Sequence, residues 1–255
     1  KWLQKGIKSD ARDYEAMHER YWETHQKNII TWALPREKTE SLVLNCKRSG
    51  IGVNSALYAA FLKAHYHHRD KLPSSPYRIL VPVDFRRFLP DSLADALGLY
   101  SSAVALDESI PIDQPFSTVA ELLERKTRKS ITEKKVFFFF QMGVLHPSLM
   151  DGVAFALFDD LDEPLAQKLA RKVQRSVKTA VLVSNLGVVT IPEQYGTLTL
   201  QSIFPPVIAA GSADIAIEVL TYSGKLTFMM SFDPHQIDPE TALRYGTNAN
   251  GEGLI

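Results

Sequence analysis

Residues 182–188 read Leu182-Val-Ser-Asn-Leu-Gly-Val188. The apolar start is strand-like, and Asn185 with Gly187 interrupts it. Such a break exposes backbone N–H groups and small polar side chains beside a cleft. Taken alone, the block also fits a plain bulge in which Ser184 and Asn185 satisfy nearby backbone groups. Upstream, residues 163–178 place Leu165, Leu169 and Val173 on one face of an amphipathic helix leading into a strand at 180–184. Downstream, strands are expected at 197–203, 214–222 and 225–232, the last two joined by the turn Tyr222-Ser-Gly-Lys225.

The first half extends the same alternation. Residues 10–26 read as a polar helix with a stripe of Tyr14, Met17, Tyr21 and Trp22, followed by a linker closed by Pro35. A second helix covers 36–48 and stops at Gly50 and Gly52. Asn54 or Ser55 then caps a helix through Leu57, Ala60, Phe61 and Ala64, ending in the turn His65-Tyr-His-His-Arg-Asp70. Tyr77–Phe85 and Leu99–Leu106 read as strands, and a helix with a charged exposed face runs from Pro115-Phe116 to about Lys135. The run Val136-Phe-Phe-Phe-Phe-Gln-Met142 is apolar on all sides and is expected to be buried. With no charge run or low-complexity linker, the pattern is one α/β domain, a mixed β-sheet covered by helices.

Bulk properties narrow the function. The chain has 255 residues, 45% hydrophobic and 23% charged, with 29 basic and 29 acidic side chains. A net charge of +0 argues against nucleic acid or an anionic membrane as the main partner. No apolar stretch reaches the roughly 18 residues that a bilayer span needs. The single cysteine, Cys46, excludes an internal disulfide and fits a reducing, cytoplasmic setting. Its place in a helical pattern with Leu42 and Val43 makes it a packing residue. His65, His67 and His68 lack the acidic or cysteine neighbours of a metal site, so no metal is expected.

A second block, Ser231-Phe-Asp-Pro-His-Gln-Ile-Asp-Pro239, carries a resemblance. Together with Ser184-Asn-Leu-Gly187, Phe204-Pro-Pro206 and the hairpin about Gly224, it is similar to the chloramphenicol acetyltransferase and dihydrolipoyl acyltransferase lobes, which finish on Ser-Phe-Asp-His-Arg-x-x-Asp-Gly. Pro234 stands where that pattern has its catalytic histidine, and Pro239 replaces the glycine. His235 comes one residue late and on a strand end would point the other way. The earlier blocks Asp13-Tyr14, Tyr21-Trp22, Val81-Pro-Val-Asp-Phe-Arg86 and Leu97-Gly-Leu-Tyr-Ser-Ser-Ala-Val-Ala-Leu106 resemble the second lobe of condensation-type acyltransferases, the alcohol acetyltransferase-like branch of the coenzyme A-dependent superfamily.

The resemblance implies a chloramphenicol acetyltransferase-like fold, with residues 1–255 forming a single C-terminal lobe. A separate N-terminal lobe would hold the His-His-x-x-x-Asp-Gly base motif, and the start at Lys1 instead of Met leaves room for it upstream. The implied reaction moves an acyl group from a coenzyme A or carrier-bound phosphopantetheine thioester to a hydroxyl or amine, with no permanently bound cofactor. Ser184 and Asn185 would line the substrate tunnel. Arg86, on its residues alone a surface ion pair, would bridge the lobes. The basic stripe Lys168, Arg171, Lys172, Arg175 and Lys178 reads as a solvated face or as a landing site for coenzyme A phosphates or a carrier protein. His146-Pro-Ser-Leu-Met-Asp-Gly152 imitates the missing motif, but Pro147 replaces the base and the stretch more simply opens a helix.

Partners implied are the N-terminal lobe or self-association, an acyl thioester donor and a carrier protein. Two alternatives remain open at this level. One is a self-contained trimeric lobe using His146 or His235 as base; the other is a catalytically silent scaffold.

Overall fold

The computed structural model describes residues 9–68, 79–93, 96–106, 110–137, 146–158, 164–177, 179–207 and 213–250. In chain order these form α1 (Ala11–Thr24), β1 (Asn28–Leu34), α2 (Arg36–Arg48), α3 (Val53–His67), β2 (Ile79–Asp84), β3 (Ser101–Leu106), α4 (Phe116–Ser130) and α5 (Glu133–Val136). They continue with α6 (Pro147–Phe158), α7 (Pro164–Val177), β4 (Thr179–Val189), β5 (Gln194–Tyr195), β6 (Leu198–Thr199), β7 (Ala213–Tyr222), β8 (Lys225–Phe232) and α8 (Pro239–Asn250). No described helix is long and apolar enough to cross a membrane.

Six strands form one mixed sheet in the order β1-β8-β7-β4-β2-β3. β2, β4 and β7 run parallel, and β8, the outer β1 and β3 complete the ladder. Strand alternation puts Val81, Val183, Ile217, Met230 and Phe228 on one face. There they pack with Leu57, Phe61 and Leu62 of α3, Leu123 of α4 and Ala242 of α8 in a continuous core. β7 reads Ala-Asp-Ile-Ala-Ile-Glu-Val-Leu-Thr-Tyr and is buried almost throughout, as befits a central strand.

Several expectations change in the fold. The cap of α3 is Gly52, not Asn54 or Ser55. The reason is tertiary: Glu124 on α4 accepts hydrogen bonds from the Gly52 N–H (2.9 Å) and the Ser55 hydroxyl (2.8 Å), doing from 69 residues away what a local side chain normally does. The long helix to Lys135 is two, broken at Ile131 and Thr132. The strand at 197–203 shrinks to Leu198–Thr199, paired only with Gln194–Tyr195. On α7 the buried line is Ala166 and Ala170, while Leu165 is exposed. Of the aromatic run, Val136 is buried and residues 138–142 lie outside the described residues.

The linker before Pro35 holds a strand, and a helix follows Asp238, for which the sequence pattern gives no expectation above. Asn28-Ile-Ile-Thr-Trp-Ala-Leu34 is β1, registered against β8 from Asn28↔Phe232 to Leu34↔Leu226. Its Trp32 stacks on Phe228 with centroids 5.0 Å apart. Pro239–Asn250 is α8. Asp238 caps it by accepting the Thr241 N–H at 2.9 Å, and hydrogen bonds from Thr241 hold its carboxyl below the usual range.

Candidate active-site edge of the sheet

Because β2 and β4 are parallel, their C-terminal ends meet at one edge of the sheet. β4 brings Ser184 and Asn185 there, and β2 brings Asp84 with Phe85 and Arg86 just beyond. Tyr100 enters the same edge at the start of the antiparallel β3, its carbonyl accepting the Phe85 N–H at 3.0 Å. The sequence residues Ser184, Asn185 and Arg86 therefore share one edge.

The seam between β2 and β4 is held by a side chain. Direct register is recorded at Leu80↔Leu182, and one residue further the buried Tyr58 of α3 reaches in. Its hydroxyl accepts the Val183 N–H at 3.1 Å and donates to the Leu80 carbonyl, with the Val183 carbonyl also 3.1 Å away. Burial pushes its ionisation far up, against a smaller opposing effect of the Val183 hydrogen bond, so it stays a neutral donor. The strand ladder thus gives way to a hydroxyl bridge immediately before Ser184.

Asn185 bends the strand as the plainer reading anticipates. Its Oδ1 accepts the Gly187 N–H at 2.9 Å, and Gly187 adopts φ +76°, a conformation that favours glycine. The β4–β7 register slips between Asn185 and Val188. Ser184 is half-buried and stands in register with Glu218 of β7, a fully buried carboxylate. Glu218 was overlooked in the sequence, although one acid inside the apolar run Ile215–Leu220 is a visible signal.

Arg86 is fixed within its own chain. Its backbone N–H and Nη1 donate to the two oxygens of Asp84 at 2.9 and 2.7 Å, and its guanidinium lies 4.3 Å from the centre of the Tyr100 ring. The side chain remains 43% exposed, so the arginine is oriented but accessible. Phe85, in contrast, is buried against Tyr100 and Phe137 and belongs to the core.

Around this edge lie large apolar side chains in solvent. Leu97 and Leu99 precede β3, and Leu186, Val188, Ile191, Tyr195, Leu198, Phe204 and Val207 follow the bend in β4. Val188 is 70% and Leu198 72% exposed. Between Leu186 and Val207 the only charge is Glu193, which accepts the Ser223 hydroxyl at 2.6 Å. Many of the arm's apolar side chains thus face solvent.

The other sequence candidates lie elsewhere. Pro234 and His235 follow β8 at the opposite end of the sheet, since Phe232 pairs with Ile215 near the start of β7. His235 is exposed, its N–H turned back to Asp233 Oδ1 at 2.9 Å. His146 is exposed at the start of α6, 2.8 Å from Ser148 Oγ. Lys168, Arg171 and Lys172 are exposed on α7, which leads into the N-terminal end of β4. The side chain of Arg175 and all of Lys178 lie outside the described residues.

His65 is buried, 3.0 Å from Tyr245 Oη and 3.3 Å from Asp214 Oδ2. Among the described residues no three His, Cys, Asp or Glu side chains gather to hold a metal ion. Cys46 is buried, and burial, reinforced by nearby Glu124, pushes its thiol up, away from nucleophile chemistry.

Solved structures share this arrangement of strands and helices. The epimerization domain from the third module of tyrocidine synthetase B superposes with a TM-score of 0.57 at 11% identity, over 94% of this chain and 57% of that one. The wax ester synthase/diacylglycerol acyltransferase from Marinobacter aquaeolei gives 0.55 at 14% identity, over 92% and 54%. The trichothecene 15-O-acetyltransferase from Fusarium sporotrichioides gives 0.54 at 14% identity, over 95% and 54%.

The chain has a chloramphenicol acetyltransferase-like fold, that of condensation and acyltransferase domains. It spans about half the length of these structures. No family model and no curated protein sequence matches it. Within this fold, Ser184, Asn185 and Arg86 lie together at one sheet edge, bordered by the apolar arm.

Proposed function

We propose that this chain is the C-terminal lobe of a condensation-type acyltransferase. A first lobe supplies the histidine base. The complete enzyme moves an acyl group from a coenzyme A or carrier-bound thioester to a hydroxyl or amine. In that reaction an imidazole takes the proton of the acceptor, which attacks the thioester carbonyl and expels the thiol. Pro234 can move no proton, so this lobe contributes walls and positioning: Ser184 and Asn185 at the tunnel edge, Arg86 as the inter-lobe anchor.

The observation that carries the reading is the arm Leu186–Val207, with many apolar side chains in solvent and Glu193 its only charge, beside Ser184, Asn185 and Arg86, on a chain that spans about half of each matched structure. An apolar surface of that kind is what a lobe presents when its counterpart is absent. The self-contained alternative is less well supported, because His235 is exposed at the far end of the sheet and His146 is exposed at the start of α6.

The test is to purify residues 1–255 alone and with a first lobe bearing His-His-x-x-x-Asp-Gly, and follow thiol release from acyl-coenzyme A with alcohols and amines. Turnover is expected only from the pair. Turnover by the chain alone that His146→Ala or His235→Ala abolishes would replace this reading with the single-lobe one.

A further inference from the structure

The net charge of the chain is +0, yet its cations are unevenly placed. Between Arg125 and Lys135 stand six basic residues, Arg125, Lys126, Arg128, Lys129, Lys134 and Lys135, against one acid, Glu133. They occupy the corner where α4 ends and α5 begins. Arg125, Arg128 and Lys129 share the helix face opposite the buried Val119, Ala120 and Leu123. A helix C-terminus favours one or two cations in its last turn, here Arg128 and Lys129. Lys134 and Lys135 do the same at the end of α5, whereas Arg125 and Lys126 lie outside both last turns. Glu124 holds Arg128, whereas Arg125, Lys129 and Lys134 are exposed and have no ion-pair partner among the described residues.

The corner adjoins the sheet edge described above. Arg87, next to Arg86, donates to the carbonyl of Ile131 at 3.5 Å, and Ser102 at the start of β3 donates to the Val136 carbonyl. These bonds tie the segment between and after the two helices to the residues that follow Arg86 and Tyr100 in the chain. The basic stripe of α7, by comparison, leads into the other end of β4.

We propose that the α4–α5 corner docks an acidic protein, a small carrier presenting the carboxylates of a helix while its thioester arm reaches the edge at Ser184. Arg125, Lys129 and Lys134 are exposed along two successive helices, which suits a protein surface of opposite charge; a compact nucleotide needs a concave site. The choice of a carrier as the partner rests on the acyl-transfer reading; the surface itself does not.

The experiment uses residues 1–255 and a fluorescein-labelled holo acyl carrier protein of acidic sequence, with binding read by anisotropy. Charge reversal at Arg125, Lys129 and Lys134 (each →Glu) is expected to weaken binding at least about tenfold, and raising salt should weaken it further. Reversal at Lys168, Arg171 and Lys172 is expected to change it less than about twofold. Circular dichroism checks that both triple variants are folded.

Equal binding by the α4–α5 variant, loss on the α7 variant instead, or no carrier binding would overturn the proposal. So would a patch that retains coenzyme A, duplex DNA or phosphatidylserine vesicles and not the carrier. Acyl-coenzyme A turnover by the paired lobes is measured alongside. Turnover without carrier docking sinks this inference and leaves the acyl-transfer reading standing, whereas docking without turnover does the reverse.

Discussion

The hydroxyl of Tyr58 accepts the backbone N–H of Val183 at 3.1 Å, from a helix 125 residues earlier in the chain. That contact, with the bond to the Leu80 carbonyl, replaces the strand ladder just before Ser184. Replacing Tyr58 with Phe keeps the ring and strands buried backbone groups. The expected cost is about 1–3 kcal/mol in urea unfolding, with faster amide exchange at Val183. An unchanged midpoint would mean that the strands close the seam themselves.

Glu124 makes a pH-dependent prediction. Burial works to raise its pKa, but hydrogen bonds from Arg128, Gly52 and Ser55 outweigh it and hold the carboxyl below the ordinary 4.5. With the folded pKa depressed, the stabilisation is fully present above the unfolded value and is lost as pH falls through the folded one. Glu124→Gln should therefore cost about 1–2 kcal/mol near neutrality. Its deficit should shrink as the pH drops below about 4. A deficit that does not vary with pH would place the effect in packing.

The buried contacts of His65 with Tyr245 and Asp214 fasten α8 to α3 and to the start of β7. Tyr245→Phe removes one of them at constant shape. A loss of about 1 kcal/mol is expected, with exchange accelerated in α8 before the sheet. Uniform acceleration across the chain would show that α8 is not a separate unit.

For the exposed arm, Leu186, Val188 and Leu198 changed together to Ser should alter unfolding of the isolated chain by less than about 1 kcal/mol, since none is packed. The same change should abolish association with a first lobe, as read by sedimentation velocity. Large destabilisation with unchanged association would make the arm part of the fold.

Arg86 separates two roles. Its pair with Asp84 is exposed on both sides, so Arg86→Ala should shift the stability of the lone chain by less than about 1 kcal/mol. Binding of the first lobe should weaken much more, because a carboxylate buried at the contact would lose its partner. Equal small effects in both measurements would leave Arg86 a surface residue.

Local pattern was enough for much of the fold. Alternation and apolar runs marked β4, β7 and β8, helical spacing marked α1 to α4 and α7, and Pro234 was visible as a proline at a histidine position. These features depend on residues close in the chain. Asn28–Leu34 carried a strand signal in Ile29, Ile30 and Trp32, and Asp238-Pro239-Glu240 carried a cap-and-start signal; both were legible but passed over.

Other features depended on residues far apart in sequence. The cap of α3 comes from Glu124, the β2–β4 seam is closed by Tyr58, and Ser184 meets Glu218 only through strand register. The likeness of Ser184, Asn185 and Arg86 to a known pattern was readable; their sharing one edge was not, because parallel pairing of β2 and β4 puts it there. Tertiary structure alone also revealed that many apolar side chains after Asn185, Val188 and Leu198 among them, face solvent. Composition cannot separate an apolar side chain that finds the core from one left in solvent, since that depends on what the rest of the chain has folded against.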